Sequence, residues 1–421
     1  MSQLLLTHTI RLLMKKLVNS NTKKKKKKKN WAEREYKMSY HFDQFIDRRN
    51  TFCTQWDYIK DRFGEEDLLP FSISDTDFKA PEPVIKAVSE RVSHGIFGYS
   101  RWNHSAFKSS ITGWYKNRFN ADFNEDWVLY SPTVCYAISI LIELNSKPKD
   151  KVVVFSPLYD AFFNIIKERD RELVLNPLHL ENGRYTIDFK SLERELQTAE
   201  ILLLTNPHNP TGRVFSKEEL LKIIALCKAY DVFLISDDIH MDIVYPGSAY
   251  TPVLSLSTER VVICSSASKT MNTPGLIGSY LLVPDEALRE QFLRILKGRD
   301  ALSSVSILGM HALIAGYNEG ASYVDELLLY LEKNMNLVRD FFSTELPDIA
   351  FLKPEATYLA WLDARGLNLT DDAIQNALVT KGKVAVMSGA TYGAPGFLRL
   401  NVACPESKLL DGLSRMKKAL H

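Results

Sequence analysis

From Lys151 onward the chain alternates short runs of aliphatic and β-branched residues with longer stretches of helical spacing. The runs KVVVFSP, ILLLTNP, DVFLISDD, RVVICSSASK and GSYLLVP have apolar interiors and are bounded by Pro, Asp or Ser, which predicts strands buried on both faces. Between them, KEELLKIIALCKAY places its apolar side chains at helical intervals. Ser216 stands as its N-cap and Glu219, three residues on, completes a capping box. Strands alternating with helices predict an α/β domain with a mostly parallel central sheet. After about Tyr323 the pattern changes. A long amphipathic stretch, YVDELLLYLEKNMNLVRDFF, leads into TYLAWLDA, the helical DDAIQNALVTKG and FLRLNVA, as expected of a smaller α+β domain.

The pattern divides the chain into a basic tail (1–37), an arm that belongs in part to the small domain (38–82), a large domain (83–320) and a C-terminal small domain (321–421). In the tail an apolar run precedes seven consecutive lysines, Lys23 to Lys29, the reverse of a secretory signal. Such a block of like charge is expected to be solvated and disordered, or to precede a native start at Met38.

Composition narrows the class. With 421 residues, 45% of them hydrophobic, there is material for a large core or two adjoining ones, and no apolar run approaches the length of a membrane span. The net charge of +2 conceals an asymmetry: the tail holds twelve Lys/Arg against two Glu, leaving forty-one basic against forty-nine acidic side chains in the body. An acidic body argues against nucleic acid as the main partner, because neutralising phosphates needs a basic face. The five cysteines are scattered and never form a C-x-x-C pair, which suits a reducing, cytoplasmic setting; Cys227 and Cys264 sit in apolar runs as small hydrophobes.

Ligands of open α/β sheets bind beyond the carboxyl ends of the strands. Three segments at such ends carry chemistry: Asn206-Pro-His-Asn-Pro-Thr-Gly212, Asp237-Asp-Ile-His240 and Ser266-Ala-Ser-Lys269-Thr. Taken singly they also read as a Pro/Gly turn, a helix start with favourable acids and a solvated lysine.

Together, in this order and spacing, they resemble the class I/II aminotransferase family of pyridoxal 5'-phosphate (PLP) enzymes, fold type I. The segments CTQWDY, DLLPFSISD, GYSRW, YDAF, SDDIHMD, LKGRD and YLAWLD are most similar to its MalY/PatB-type cystathionine β-lyases. The resemblance implies a large domain with a mostly parallel sheet plus a smaller α+β domain, and assigns roles. Lys269 would carry the cofactor as a Schiff base and serve as the catalytic base, which requires a desolvated site. Asp237 would face the pyridine nitrogen, Asp238 being a rival that caps or faces out. Asn209 would hydrogen-bond the phenolic oxygen, His240 would take a cofactor-side place often held by tyrosine, and Tyr159 would stack on the ring. Thr133 and Val134, opening a helix after Pro132, would receive the phosphate on backbone N–H groups, helped by the Ser266 hydroxyl. Tyr99 would enter from the other subunit of a homodimer, and Arg399, a guanidinium inside an apolar strand, would hold the substrate carboxylate. One departure stands out: Ile277 lies where many relatives place a phosphate-binding arginine.

The activity so implied is carbon–sulfur β-elimination on an amino acid such as cystathionine, yielding homocysteine, pyruvate and ammonia. The alternatives are an aminotransferase on the same fold, and a regulator of maltose metabolism acting by protein contact through a surface that leaves no sequence mark.

Overall fold

The five apolar runs are strands in a computed structural model that describes residues 39–421, so the expectations for the tail fall outside the described residues. Eight strands form one sheet in the spatial order Val128–Ser131, Ser279–Leu282, Val261–Ser265, Phe233–Asp237, Ile201–Thr205, Lys151–Ser156, Glu172–Glu181 and Arg184–Ile187. Its centre is parallel, from Val261–Ser265 to Glu172–Glu181. Both edges are antiparallel, because Ser279–Leu282 runs against its two neighbours and Arg184–Ile187 returns in a hairpin.

Every residue of the strands Ile201–Thr205, Phe233–Asp237 and Val261–Ser265 is buried. That is why these segments lack the apolar–polar alternation of a half-exposed strand. The expected helix is Lys217–Ala229, with the reciprocal Ser216–Glu219 capping box in place. The apolar helix Val134–Asn145 packs on the sheet, and its N-cap is Thr133, whose hydroxyl accepts from the Tyr136 N–H.

A second, fully antiparallel sheet orders Ala350–Phe351, Leu359–Asp363, Phe397–Asn401 and Met387–Ser388. The long amphipathic stretch is the helix Ala321–Glu345, which packs on the C-terminal helix Glu406–Leu420. Helix Glu82–His94 begins at residue 82 and Gly320 lies between two helices, and residues 42–421 form one unit. Among the described residues no helix is long and apolar enough to cross a membrane.

The segment before residue 82 is bound closely into this unit. Leu69–Pro70 pairs with Val384–Ala385, and Asn401 Nδ2 donates to the carbonyls of both Ile73 and Asp75 at 2.6 Å. Arg48 bridges to Asp75 and Asp77, and the buried Lys408 reaches Asp77 at 2.5 Å. Residues 72–77, which bend at 73–75 and at 77, are thereby fixed as a ledge that brings Ser74 to the cavity described below.

The loop that carries Asn209 is fixed from its other side. Arg213, almost wholly buried, forks onto both oxygens of Glu219 and reaches Glu355, which also accepts from the Val214 N–H. Gly212 has φ +66°, and a Cβ there would lie 2.3 Å from Pro354 Cβ and 2.7 Å from the Ala356 carbonyl. Gly212→Ala is therefore expected to destabilise the fold by about 1–3 kcal/mol through backbone strain and overpacking, read as a lower urea midpoint.

Candidate active site

A cavity of about 200 Å³ opens at the carboxyl ends of the parallel strands. Each of the three chemistry-bearing loops reaches it. The first contributes Asn209, the second Asp237 and His240, the third Ser266 and Lys269. Tyr159, from the turn after Lys151–Ser156, and Thr133 with Val134 at the helix N-terminus complete eight of the ten expected residues. Arg399 joins them by a hydrogen bond, its Nη1 donating to Asn209 Oδ1 at 3.2 Å. Tyr99 is fully exposed and does not line the cavity of its own chain.

Lys269 Nζ donates to the Ser74 carbonyl at 2.6 Å, on the ledge described above. Burial lowers its pKa from the ordinary lysine value; Asp75 opposes that shift and Arg399 adds to it. Arg399 is 4% exposed and makes no ion pair among the described residues. Its Nη2 donates to the Ser72 carbonyl at 3.1 Å, its Nε has no partner, and its guanidinium lies over the Tyr392 ring at 4.4 Å. A cation so buried without a counter-ion is costly, and desolvation lowers its pKa as well.

Asp237 is buried, and one of its oxygens accepts from the Ile239 N–H at 3.2 Å. Desolvation pushes its carboxyl up to about 7, against the pull of that hydrogen bond and of Lys269. Asp238 corrects the sequence reading, for it neither caps a helix nor faces out. It is completely buried away from the cavity, accepting from Ser236 at 2.5 Å and from the Tyr250 hydroxyl, and burial raises its pKa to about 7 too. His240 is buried with Nδ1 unpartnered, and burial drives its pKa down to about 3, so the ring is neutral.

At the helix N-terminus the Thr133 hydroxyl is occupied by the cap, which leaves the Val134 and Cys135 N–H groups as orphan donors beside the cavity. The Ser266 hydroxyl donates to the Gly278 carbonyl at 2.7 Å and accepts from the Ser268 N–H. Ile277 lines the same corner with φ +53°.

Several lining residues carried no sequence signal of their own. Ser74 acts through its carbonyl and not its side chain, so residue type could not disclose it. Cys135 presents a thiol that burial holds neutral, its pKa up to about 11. Tyr392, outside the cavity lining, meets Arg399 because it lies in the connection between the antiparallel strands Met387–Ser388 and Phe397–Asn401.

Residues 66–415 match the family model for aminotransferase class I and II. The chain belongs to that family. It is 40% identical to Protein MalY of Escherichia coli (strain K12) over 385 residues, 90% of this chain and 99% of that protein. Identity to cystathionine beta-lyase PatB of Bacillus subtilis (strain 168) is 39% over 387 residues, covering 90% and 100%. Among solved structures, a PLP-bound putative aminotransferase from Clostridium difficile 630 superposes with a TM-score of 0.89 at 35% identity, covering 91% of this chain and all of that one.

The adjacent carboxyls give the cofactor-free protein a pH signature. Unfolded, both titrate near 3.8; folded, near 7. Because the fold favours the protonated forms, their stabilising contribution is complete below about pH 4 and is lost as pH rises through 7. The melting temperature of cofactor-free protein is expected to fall between about pH 5 and 8. Asp238→Asn, which keeps one acceptor oxygen, should flatten that slope and raise the value at pH 8 by roughly 2–4 °C.

Proposed function

We propose that this protein is a PLP-dependent carbon–sulfur β-lyase that cleaves cystathionine, or related cysteine S-conjugates, to a thiol, pyruvate and ammonia. The observation that carries the reading is Lys269, desolvated and sharing one cavity with the buried Asp237 carboxyl, in a chain that matches a cystathionine β-lyase over that protein's whole length.

The cavity suits PLP group by group. The orphan N–H groups of Val134 and Cys135 meet the need of a phosphate for donors, with the Thr133 cap ordering that turn and Ser266 nearby. A carboxyl raised to about 7 by burial is one that gains from a cationic pyridine nitrogen, which supports Asp237 as the partner on that face. Asn209 has its oxygen engaged by Arg399, so its amide N–H₂ is free to donate to the phenolic oxygen, and His240 holds an unpartnered nitrogen. Tyr159 flanks the place of the ring. Bound there, PLP supplies the sink for the electron pair released at Cα.

The remaining chemistry falls to side chains of this protein. Arg399, without a counter-ion, takes the substrate α-carboxylate in a two-pronged grip and fixes the rotation about Cα. Lys269, its ammonium disfavoured by burial, would take the Cα proton on Nζ and return it to the departing sulfur as the Cβ–S bond breaks. Hydrolysis of the three-carbon remainder gives pyruvate and ammonia.

The site is proposed to be completed by a second copy of the chain. Tyr99 is fully exposed, with Ile96 65% and Phe97 57% exposed beside it, an apolar strip that a homodimer would cover while bringing the Tyr99 hydroxyl to the partner's phosphate. The free thiols fit a reducing cytoplasm.

Product analysis tests the activity. With cystathionine and no acceptor, pyruvate, ammonia and free thiol are expected in equal amounts; a new amino acid formed only with a 2-oxo acid, its C–S bond intact, would establish an aminotransferase instead. Borohydride reduction should fix the cofactor on Lys269 alone, and Lys269→Ala should lower turnover by at least about 10³-fold. Mixed dimers of Tyr99→Phe and Lys269→Ala subunits are expected to regain activity above either parent; heterodimers that form without regaining any refute the shared site.

A further inference from the structure

The Arg399 side of the cavity carries two charged side chains that the proposed chemistry leaves idle. Arg62, in the short helix Ile59–Phe63, makes no ion pair among the described residues. Its Nη1 lies 3.4 Å from the Met387 sulfur, a weak acceptor. Met387 stands directly opposite Arg399 in the antiparallel pairing of their strands, which places Arg62 one strand from the carboxylate-binding guanidinium. Asp160, first residue of helix Asp160–Glu168, follows Tyr159 and has no side-chain hydrogen bond or ion pair among the described residues.

Tyr392 lies between the two. Its ring takes the Arg399 cation at 4.4 Å, and its carbonyl accepts from the Leu158 N–H at 3.0 Å, tying it to the turn that bears Asp160. Burial raises the pKa of the phenol; of the neighbouring charges, Arg399 and Arg62 oppose that shift and Asp160 adds to it. The Asp160 charge also reaches Arg399 and Tyr159 without a direct contact. Beside them, Tyr58, Arg62, Ser72 and Ile73 line a separate hollow of about 350 Å³, whose Ser72 carbonyl is the acceptor of Arg399 Nη2. Arg62, an exposed cation without an ion pair among the described residues, thus lines that hollow, and Asp160 follows the cavity-lining Tyr159, both close enough to the Tyr392 phenol for their charges to act on it.

We propose that Arg62 and Asp160 form a second recognition point for the far end of a long substrate, a thioether with an α-amino acid at each terminus. Arg62 meets the distal carboxylate and Asp160 the distal ammonium. This rests on the lyase reading and deepens it. Short S-conjugates lack the far zwitterion and gain nothing from either group, so the pair separates substrates by differences in kcat/KM. Asp160 also sits favourably at a helix N-terminus, but that benefit is the same for every substrate and cancels in a ratio.

The test follows pyruvate release by the holoenzyme with cystathionine and with S-methylcysteine. Arg62→Gln and Asp160→Asn are each expected to lower the ratio of the two kcat/KM values about tenfold, chiefly through KM for cystathionine, with Arg62→Lys keeping part of the preference. An unchanged ratio in both variants, whether or not absolute rates fall, overturns the distal site and leaves the lyase reading standing. Wild-type enzyme that cleaves neither substrate overturns the lyase reading and the inference with it.

Discussion

Two basic side chains, Lys269 and Arg399, are held in the interior with no ion pair among the described residues, and much of the structure serves that constraint. An isolated buried charge is intolerable unless dipoles replace the lost water. Here the dipoles are carbonyls of one ledge: Ser74 takes Lys269 and Ser72 takes Arg399. Backbone oxygens are weak enough partners to be exchanged. A carboxylate in either place would hold its cation in a pair and raise the cost of releasing it to a ligand. The ledge must then be rigid, and Asn401 fastens two of its carbonyls while Tyr358 donates to the Ser74 oxygen at 3.0 Å.

The same requirement shapes the opposite wall. Asn209 has its oxygen committed to Arg399, so the loop that presents it determines where the guanidinium lies. Arg213, paired with Glu219 and Glu355, ties that loop to the segment leading into Leu359–Asp363, the strand that pairs with Phe397–Asn401. Arg213 and Arg399 illustrate two uses of a buried guanidinium. One is saturated by carboxylates and structural; the other is left short of partners and available.

Much of this was legible in the chain. Uninterrupted apolar runs marked the doubly covered strands, and the loops after three of them held five residues that meet in one cavity: Asn209, Asp237, His240, Ser266 and Lys269. Other features were hidden for physical reasons. The antiparallel course of Ser279–Leu282 cannot be read from burial, since a buried strand is apolar in either direction. Asp237 and Asp238 are identical in type and adjacent, and only the two faces of a strand end distinguish the one beside the cavity from the one hydrogen-bonded to Ser236 and Tyr250. Residues 38–82 looked like an arm because their contribution to the site is main-chain, and carbonyls have no sequence signature.

Ile277 shows how the cavity can accept an anion where many relatives use an arginine. The residue is β-branched yet has φ +53°, a conformation that costs about 1–3 kcal/mol and has to be imposed by its surroundings. Those surroundings are tight. A Cβ on Gly309 would come within 2.1 Å of the Ile277 carbonyl, and the Ser266 hydroxyl holds the next carbonyl, that of Gly278. The corner is thus built from main chain, and no guanidinium reaches it from this position. Positive potential must come instead from the N-terminus of Val134–Asn145 and from Lys269 and Arg399, opposed by an Asp237 whose ionisation burial disfavours. Within an acidic body, the cavity is a local basin for negative charge, suited to a phosphate at one end and a carboxylate at the other. Removing the corner arginine shifts the work of anion binding onto groups that the chemistry needs for other reasons.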